Sequence, residues 1–448
     1  MSQKSPLPYI AFCVLNIYVL RSVNEVLLKP YMDEPFHVPQ AQRYCSFEFD
    51  TYDPKLTTPP GLYLFSLGIS KLFAMRCSLP LLRFHSTLLL LSLPPILSHL
   101  LPLLQPPPCS EPPRTFLETL RPGWEAIVLG FMPVAWFTGF LYYTDLGAVV
   151  FALGAIVAAK RGQSGLAALL GTVGCLFRQT NIVWLGYAAS LQALEILHRP
   201  SPSKPHLADP TLSLTSPTLL LRTLLSLPSL CLSRLPELLS HLWPYVLPLT
   251  SFCAFVLWNG GIALGDRAHH EPTPHWVLPM YFLVFSTALA APALAGGPLG
   301  VLGLGRVVAS KIFSTPRRIG FTLAWTAVLC ILINRYTIAH PFLLSDNRHY
   351  PFYLWRRLIS PFPLARYLWA PVYLLCFRIW TIRLGEQPLL PLLSLAICTL
   401  ATLVPTPLLE PRYFIIPFLL LRCYLETSAL GVAGEGLGIE TPLGMPAP

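Results

Sequence analysis

Tyr31-Met32-Asp33-Glu34-Pro35-Phe36-His37, and further on Asp53-Pro54-Lys55-Leu56-Thr57-Thr58-Pro59-Pro60-Gly61-Leu62-Tyr63, decide how this chain is read. They lie in a polar segment, residues 29–60, set between two apolar ones. Two adjacent carboxylates, a His and a Lys stand there among rigid prolines. The surroundings are far more apolar: 54% of the 448 residues are hydrophobic and only 12% charged. A soluble domain carries about 25% charge. The mean hydropathy of +0.57 points the same way, and runs near the ~20 apolar residues of a bilayer span recur from end to end. The expected class is all-α, a polytopic transmembrane helical protein forming a single membrane domain over residues 1–448.

Working outward, apolar runs fall at about 8–28, 61–75, 79–93, 95–104, 124–141, 146–160, 165–177, 181–197, 242–263, 276–294, 319–333, 363–380, 387–405 and 412–430. That gives about fourteen spans, with 79–104 read as a hairpin of two short pieces split by Pro94-Pro95. One kinked span is the other reading of those pieces, and the run near 218–232 is a further one that could dip into the membrane. Lys and Arg favour the cytosolic side. They place Lys160-Arg161, the Pro/Ser-rich segment 198–241, the segment 296–318 and Arg383 inside. Segment 198–241 reads as a flexible linker. The other loops then face out, and both termini are cytosolic. The first apolar run ends in Arg21, Asn24 and Glu25 without a small-residue cleavage pattern, so it is expected to stay uncleaved.

The net charge of +10 is accounted for by cytosolic loops and headgroup anchoring. No basic cluster interleaved with aromatics suggests nucleic acid. The 11 cysteines form no Cys-x-x-Cys pair. Cys13, Cys175, Cys330, Cys376 and Cys398 lie in apolar runs, and Cys45 and Cys109 in polar loops. Neither a zinc site nor a disulfide framework is expected.

The sorting by side carries the functional argument. Gly265-Asp266-Arg267-Ala268-His269-His270-Glu271, Ser345-Asp346-Asn347-Arg348-His349-Tyr350 and Glu410-Pro411-Arg412-Tyr413 all fall on the side of Asp33. Each has a plain reading. Asp33 and Glu34 solvate a loop end; Glu410 and Arg412 form a local ion pair; Arg348 and His349 anchor to headgroups; Asp145 starts a helix; Arg178 snorkels at a span entrance. His269, His270 and His275 lack tight metal-ligand spacing. Together on one face, these groups fit an enzyme working there. A transporter would place polar groups at the midplane of repeated halves, and no repeat is visible. A non-enzymatic membrane regulator or transporter remains the rival class.

Several strings carry a family resemblance. Residues 31–63, Phe177-Arg178-Gln179-Thr180-Asn181-Ile182-Val183-Trp184, the Gly265-Asp266-Arg267 loop, His340 to Tyr350, and Glu410 to Ile415 resemble the dolichyl-phosphate-glucose-dependent α-1,2-glucosyltransferases of N-glycan assembly. The strings occur in the same order over nearly the whole chain. Tyr52 stands where Trp is expected before Asp-Pro, and a Gly soon after Tyr44-Cys45 is missing; neither departure touches the acids. The resemblance implies a GT-C type glycosyltransferase of the endoplasmic reticulum membrane, its catalytic acid on the lumenal first loop. It implies dolichyl phosphate glucose as donor and the diglucosylated dolichyl-diphosphate-linked oligosaccharide as acceptor. No nucleotide sugar, cofactor or metal is expected. A related transferase acting at an earlier step is the rival within the class.

A β-linked donor and an α-linked product require inversion in one displacement. One carboxylate must take the acceptor hydroxyl proton as positive charge develops at the sugar carbon. Asp33 is the expected base, with Glu34 as its substitute. The phosphate leaving group needs cations more than a proton, and Arg348, His349 and Arg412 are the candidates. His37, Arg178, Asp266, Arg267, Asp346, Asn347 and Glu410 are expected to bind substrate.

Overall fold

The structure is a computed structural model that describes residues 5–105, 116–119, 121–200, 204–267, 270–345, 347 and 350–426. The described residues are all-α. Five helices among them are long and apolar enough to cross a bilayer: Leu7–Val26, Leu79–Leu104, Leu235–Asn259, Leu278–Ala295 and Pro316–Tyr336. Shorter helices stand among these, including Asp145–Lys160, Ser164–Phe177, Asn181–His198, Trp369–Arg383, Leu389–Leu403 and Ile415–Cys423. The described residues thus hold five candidate membrane spans together with shorter apolar helices. Leu257 and Trp258, both 84% exposed, show how much apolar surface the chain offers to lipid.

The helix Asp145–Lys160 is the centre of the core. It is apolar on every side, as a helix must be to be enclosed, and it packs on Ser164–Phe177, Asn181–His198 and Leu79–Leu104. Gly147 permits the closest of these approaches, because a Cβ there would overlap the ring of Phe177.

The expected hairpin at 79–104 is instead one helix of 26 residues with Pro94, Pro95 and Pro102 inside it. A proline within a helix leaves the carbonyl four residues earlier without its donor. For Pro95 that carbonyl is Leu91, and it accepts the Tyr9 hydroxyl at 2.9 Å. A neighbouring helix thus supplies the missing donor, which is how membrane helices tolerate internal prolines. The segment expected to span at 61–75 is a helix of 12 residues, Gly61–Leu72. Its first residue lies against the backbone of Leu176 and Phe177, and the chain beyond it ends in the Cys45–Cys77 disulfide. Both ends therefore belong to the same end of the bundle. Between Phe131 and Pro133 the span expected at 124–141 breaks into Trp124–Gly130 and Pro133–Thr138, since the residue before a proline leaves helical geometry.

Segment 198–241, expected to be a flexible linker, carries among its described residues the helix Pro217–Ser233 and the start of Leu235–Asn259. Buried Arg234 donates to the carbonyls of Ile196, at 2.8 Å, and Arg199, at 2.6 Å. Asp209 accepts from the Leu390 N–H at 3.1 Å. The prolines and serines that suggest a loose chain here serve as helix starts and caps, with the Ser216 hydroxyl accepting from Leu219 N–H.

Cys45 and Cys77, 6.4 Å apart at Cα, form a disulfide. That corrects the expectation of none. The bond ties the helix after Asp33 to the start of Leu79–Leu104. Maleimide labelling of denatured protein, followed by mass spectrometry, should find two of the 11 cysteines protected until reductant is added. Labelling of Cys45 without reductant would remove the bond.

The polar loops gather at two opposite ends. One holds Asp33, Tyr143, Arg178, residues 260–267, residues 270–277 and residues 404–414. The other holds Lys160, Arg161, Lys204, Arg234 and Arg383, which accompany contacts such as Arg161 to His99 at 2.8 Å and Gln387 to the Tyr424 carbonyl at 2.7 Å.

Candidate active site

Asp33 stands at the start of the helix Glu34–Cys45, after a turn in which Met32 has φ 57°. A non-glycine residue in this left-handed region is strained and held by its surroundings. The Asp33 N–H donates to the Tyr143 hydroxyl at 3.1 Å. Its carboxylate Oδ2 accepts from Arg412 Nη1 at 2.9 Å, across 379 positions of sequence. The Asp33 side chain is one-third exposed, at 33%, so it remains open to a substrate.

Arg412 is the hub. Its Nε lies 3.4 Å from Glu410 Oε2, and its guanidinium lies over the rings of Tyr143 and Tyr413 at 5.7 and 6.0 Å. Burial by itself favours loss of its proton; Glu410, Asp33 and Asp145 more than reverse this and fix the charge. Arg178 lies over the same Tyr413 ring at 5.2 Å and pairs with Asp145 Oδ1 at 2.8 Å. Two guanidiniums thus share one aromatic ring, beside three carboxylates.

His37, one turn on from Asp33, is buried and bonds Tyr63 through Nδ1 at 2.7 Å. Burial pulls its imidazole down to about 4, against a smaller opposing pull from Asp33. His37 is therefore neutral at pH 7 and orients hydroxyls rather than carrying charge.

Glu34 differs completely from its neighbour. Its side chain is fully buried, with Oε1 accepting from Arg83 Nε at 2.9 Å and Oε2 from Arg83 Nη2 at 2.6 Å. The N–H groups of Tyr142 and Tyr31 donate to the same two oxygens. The expected substitute base thus has its oxygens taken by internal donors.

The Gly265-Asp266-Arg267 loop is stitched to the Pro-rich stretch rather than to Arg412. Asp266 N–H donates to Pro54 carbonyl at 2.9 Å, and Leu264 N–H to Thr57 carbonyl at 3.2 Å. Gly265 is required, because a Cβ would strike the Pro54 carbonyl. Gln179 Nε2 donates to both Thr57 and Ile262 carbonyls, at 2.6 and 3.2 Å. Arg267 donates to Asn259 Oδ1 at 2.6 Å, so it joins its own loop and not the cluster. His270 Nδ1 lies 3.7 Å from Asp266 Oδ2, and His275 Nδ1 lies 3.2 Å from the Thr406 carbonyl. Among the described residues no group of three or more His, Cys, Asp or Glu could hold a metal ion. Asn347 is exposed. Asp346, Arg348 and His349, and also His269 and Cys109, lie outside the described residues.

Four residues of the cluster carried no functional reading in the sequence: Tyr143, Asp145, Tyr413 and Arg83. Asp145 passed as a helix start, which it also is. Arg83 carried the clearest missed signal. An arginine a few residues inside an apolar run needs an acidic partner, and Glu34 is that partner.

The family pattern of the DIE2/ALG10 family matches residues 27–423. A mouse protein named Dol-P-Glc:Glc(2)Man(9)GlcNAc(2)-PP-Dol alpha-1,2-glucosyltransferase is 34% identical over 91% of this chain and 86% of its own length. Proteins of the same name from Arabidopsis thaliana and Candida glabrata are each 30% identical, covering 89% and 93% of this chain and 86% and 79% of themselves. No solved structure matches the chain. Nearly the whole described length, including both sides of the Asp33–Arg412 contact, falls within the matched residues, and the chain belongs to the DIE2/ALG10 family.

Proposed function

We propose that this protein is an inverting α-1,2-glucosyltransferase of the endoplasmic reticulum membrane. It moves glucose from dolichyl phosphate glucose to the diglucosylated dolichyl-diphosphate-linked oligosaccharide, adding the terminal residue. The observation that carries this reading is the contact between Asp33 and Arg412 at one end of a membrane bundle, in a chain of the family to which the named glucosyltransferases belong.

Asp33 serves as the base. It takes the proton of the acceptor hydroxyl while the oxygen forms its bond to the sugar C1. The bond from C1 to the phosphate oxygen breaks, and its electron pair leaves with dolichyl phosphate. Arg412 holds that phosphate, with Arg348 and His349 as further donors. Arg178, His37, Asp266, Asp346, Asn347 and Glu410 contribute to the sugar subsites, with Arg267 holding its loop. Both substrates are lipid-linked, which suits a site opening at the bilayer surface.

The Asp33 end faces the lumen on this reading. Disulfides persist in oxidising compartments, and Cys45–Cys77 lies at that end; Lys and Arg collect at the other. Three expected spans over 61–104 reduce to one, so about fourteen becomes about twelve without changing the side of any later loop.

Assay of the purified protein with dolichyl phosphate glucose and the diglucosylated acceptor tests the reading directly; no transfer removes it. Donor titration on two variants tests the phosphate role. Arg412→Ala should lower donor kcat/KM about ten- to a hundredfold, because charge-assisted contacts contribute roughly 1.5–3 kcal/mol. Arg412→Lys should recover only part, since a point charge lacks the fork of a guanidinium. An unchanged donor dependence in Arg412→Ala takes this residue out of the phosphate site.

A further inference from the structure

Asp145 begins a helix most of whose residues are buried, and lies at the floor of the cluster. Its side chain is 2% exposed. One carboxylate oxygen, Oδ1, is held by Arg178 at 2.8 Å. The other, Oδ2, is buried and has no hydrogen-bond partner. A buried carboxylate oxygen without a donor is unfavourable; in the same cluster Arg412 Nε is also buried without a hydrogen-bond partner. The charge of Asp145 reaches His37, Tyr143, Tyr350, Arg412 and Tyr413, which come from four separate stretches of chain. Asp145 is thus central to the cluster while offering an acceptor that nothing among the described residues uses.

A hydroxyl is the natural donor for such an oxygen, and sugar sites pair carboxylate acceptors with aromatic faces. Tyr143 and Tyr413 are the aromatic side chains nearby, each with a face taken by the Arg412 guanidinium. Of the two substrates, the acceptor is a large water-loving oligosaccharide that must stay toward solvent. The group able to reach the floor is the single hexose on the lipid phosphate. We propose that Asp145, oriented by Arg178, is the hydroxyl acceptor that orients the transferred hexose of the donor and selects it over its epimers. This assignment deepens the glucosyltransferase reading and rests on it.

The selection follows from geometry. Epimers differ in the direction of one hydroxyl, and a site built to hydrogen-bond a hydroxyl discriminates strongly against an analogue that lacks it. Arg178 holds Oδ1, so Oδ2 is the oxygen left to accept a hydroxyl.

The test is a cycle of variants against donor analogues. Dolichyl phosphate glucose and its 2-, 3-, 4- and 6-deoxy forms are compared on the wild-type chain, Asp145→Ala and the nearly isosteric Asp145→Asn. On the wild type, loss of one particular hydroxyl should lower kcat/KM about ten- to a hundredfold, as for a hydrogen bond to a charged group. In Asp145→Ala that same loss should shrink to under about threefold, the mark of two groups that act through each other. Asp145→Asn keeps the side-chain shape and should fall between. Competition by the same analogues for donor binding gives the cycle a second readout where turnover is too slow. Full retention of every deoxy penalty in both variants overturns the proposal while leaving the glucosyltransferase reading intact, and so does equal use of all deoxy donors by the wild type. Absence of any wild-type transfer overturns both.

Discussion

Asp33→Asn should abolish glucose transfer while leaving the protein folded and able to bind donor. The amide keeps the size and planarity of the carboxylate and removes its basicity. Loss of a positioned general base lowers the rate about 10²–10⁴-fold. Little else should change. The bond from Asp33 N–H to the Tyr143 hydroxyl involves the backbone and survives the substitution. Arg412 loses one negative neighbour and keeps Glu410 and Asp145. The Asp33 side chain is partly exposed, so an unpaired amide there finds water. Single-turnover transfer, with donor in excess over purified enzyme, isolates the chemical step from product release. A variant retaining more than about a tenth of the wild-type rate means that another group takes the proton. A variant that loses rate together with thermal stability means that Asp33 holds the fold instead.

Much of this site was legible because its chemistry lies in contiguous strings. The Asp33 loop, Arg178, the 265–267 loop and Arg412 could each be placed on one side by counting apolar runs, and the contacts Asp33–Arg412, Gln179–Thr57 and Asp266–Pro54 bring those strings together. What escaped depended on distant partners. Pro94-Pro95 reads as a break until the Tyr9 hydroxyl, 82 residues away from Leu91, supplies the missing donor. Two cysteines 32 residues apart carry no sign of pairing until helix Glu34–Cys45 folds against the start of Leu79–Leu104. Asp145 looks like any acid at a helix start, a position that favours negative charge by itself. Only the fold reveals that one of its oxygens is held by Arg178 and the other is left over. One helix stands in place of the expected hairpin at 79–104, and both ends of Gly61–Leu72 lie at one end of the bundle, so these two departures leave the side expected for every later loop unchanged.

The adjacent acid should behave in the opposite way. Glu34→Gln and Arg83→Met should each destabilise the protein, by about 3–5 kcal/mol, because each strands a charge where there is no water. Both side chains are 0% exposed, and the pair is bidentate. Arg83 does more than neutralise Glu34. Its Nη1 donates to the Leu27 carbonyl at 2.7 Å and to Asn24 Oδ1 at 3.2 Å, and its Nη2 to the Lys29 carbonyl at 3.3 Å. One guanidinium therefore joins the exit of the first helix, the turn leading to Asp33 and the helix Leu79–Leu104. The expected readout is a large fall in melting temperature and in recovery of monodisperse protein. Exchange of both residues together, Glu34→Met with Arg83→Met, should be less damaging than the sum of the singles, since it removes both charges from the interior. Any Glu34→Gln protein that does fold should keep an Asp33-dependent rate, because its neighbour's carboxylate is untouched. A Glu34→Gln variant that melts like the wild type yet transfers no glucose would reverse the roles of the two acids. The buried pair would then belong to the chemistry, and Asp33 to the scaffold.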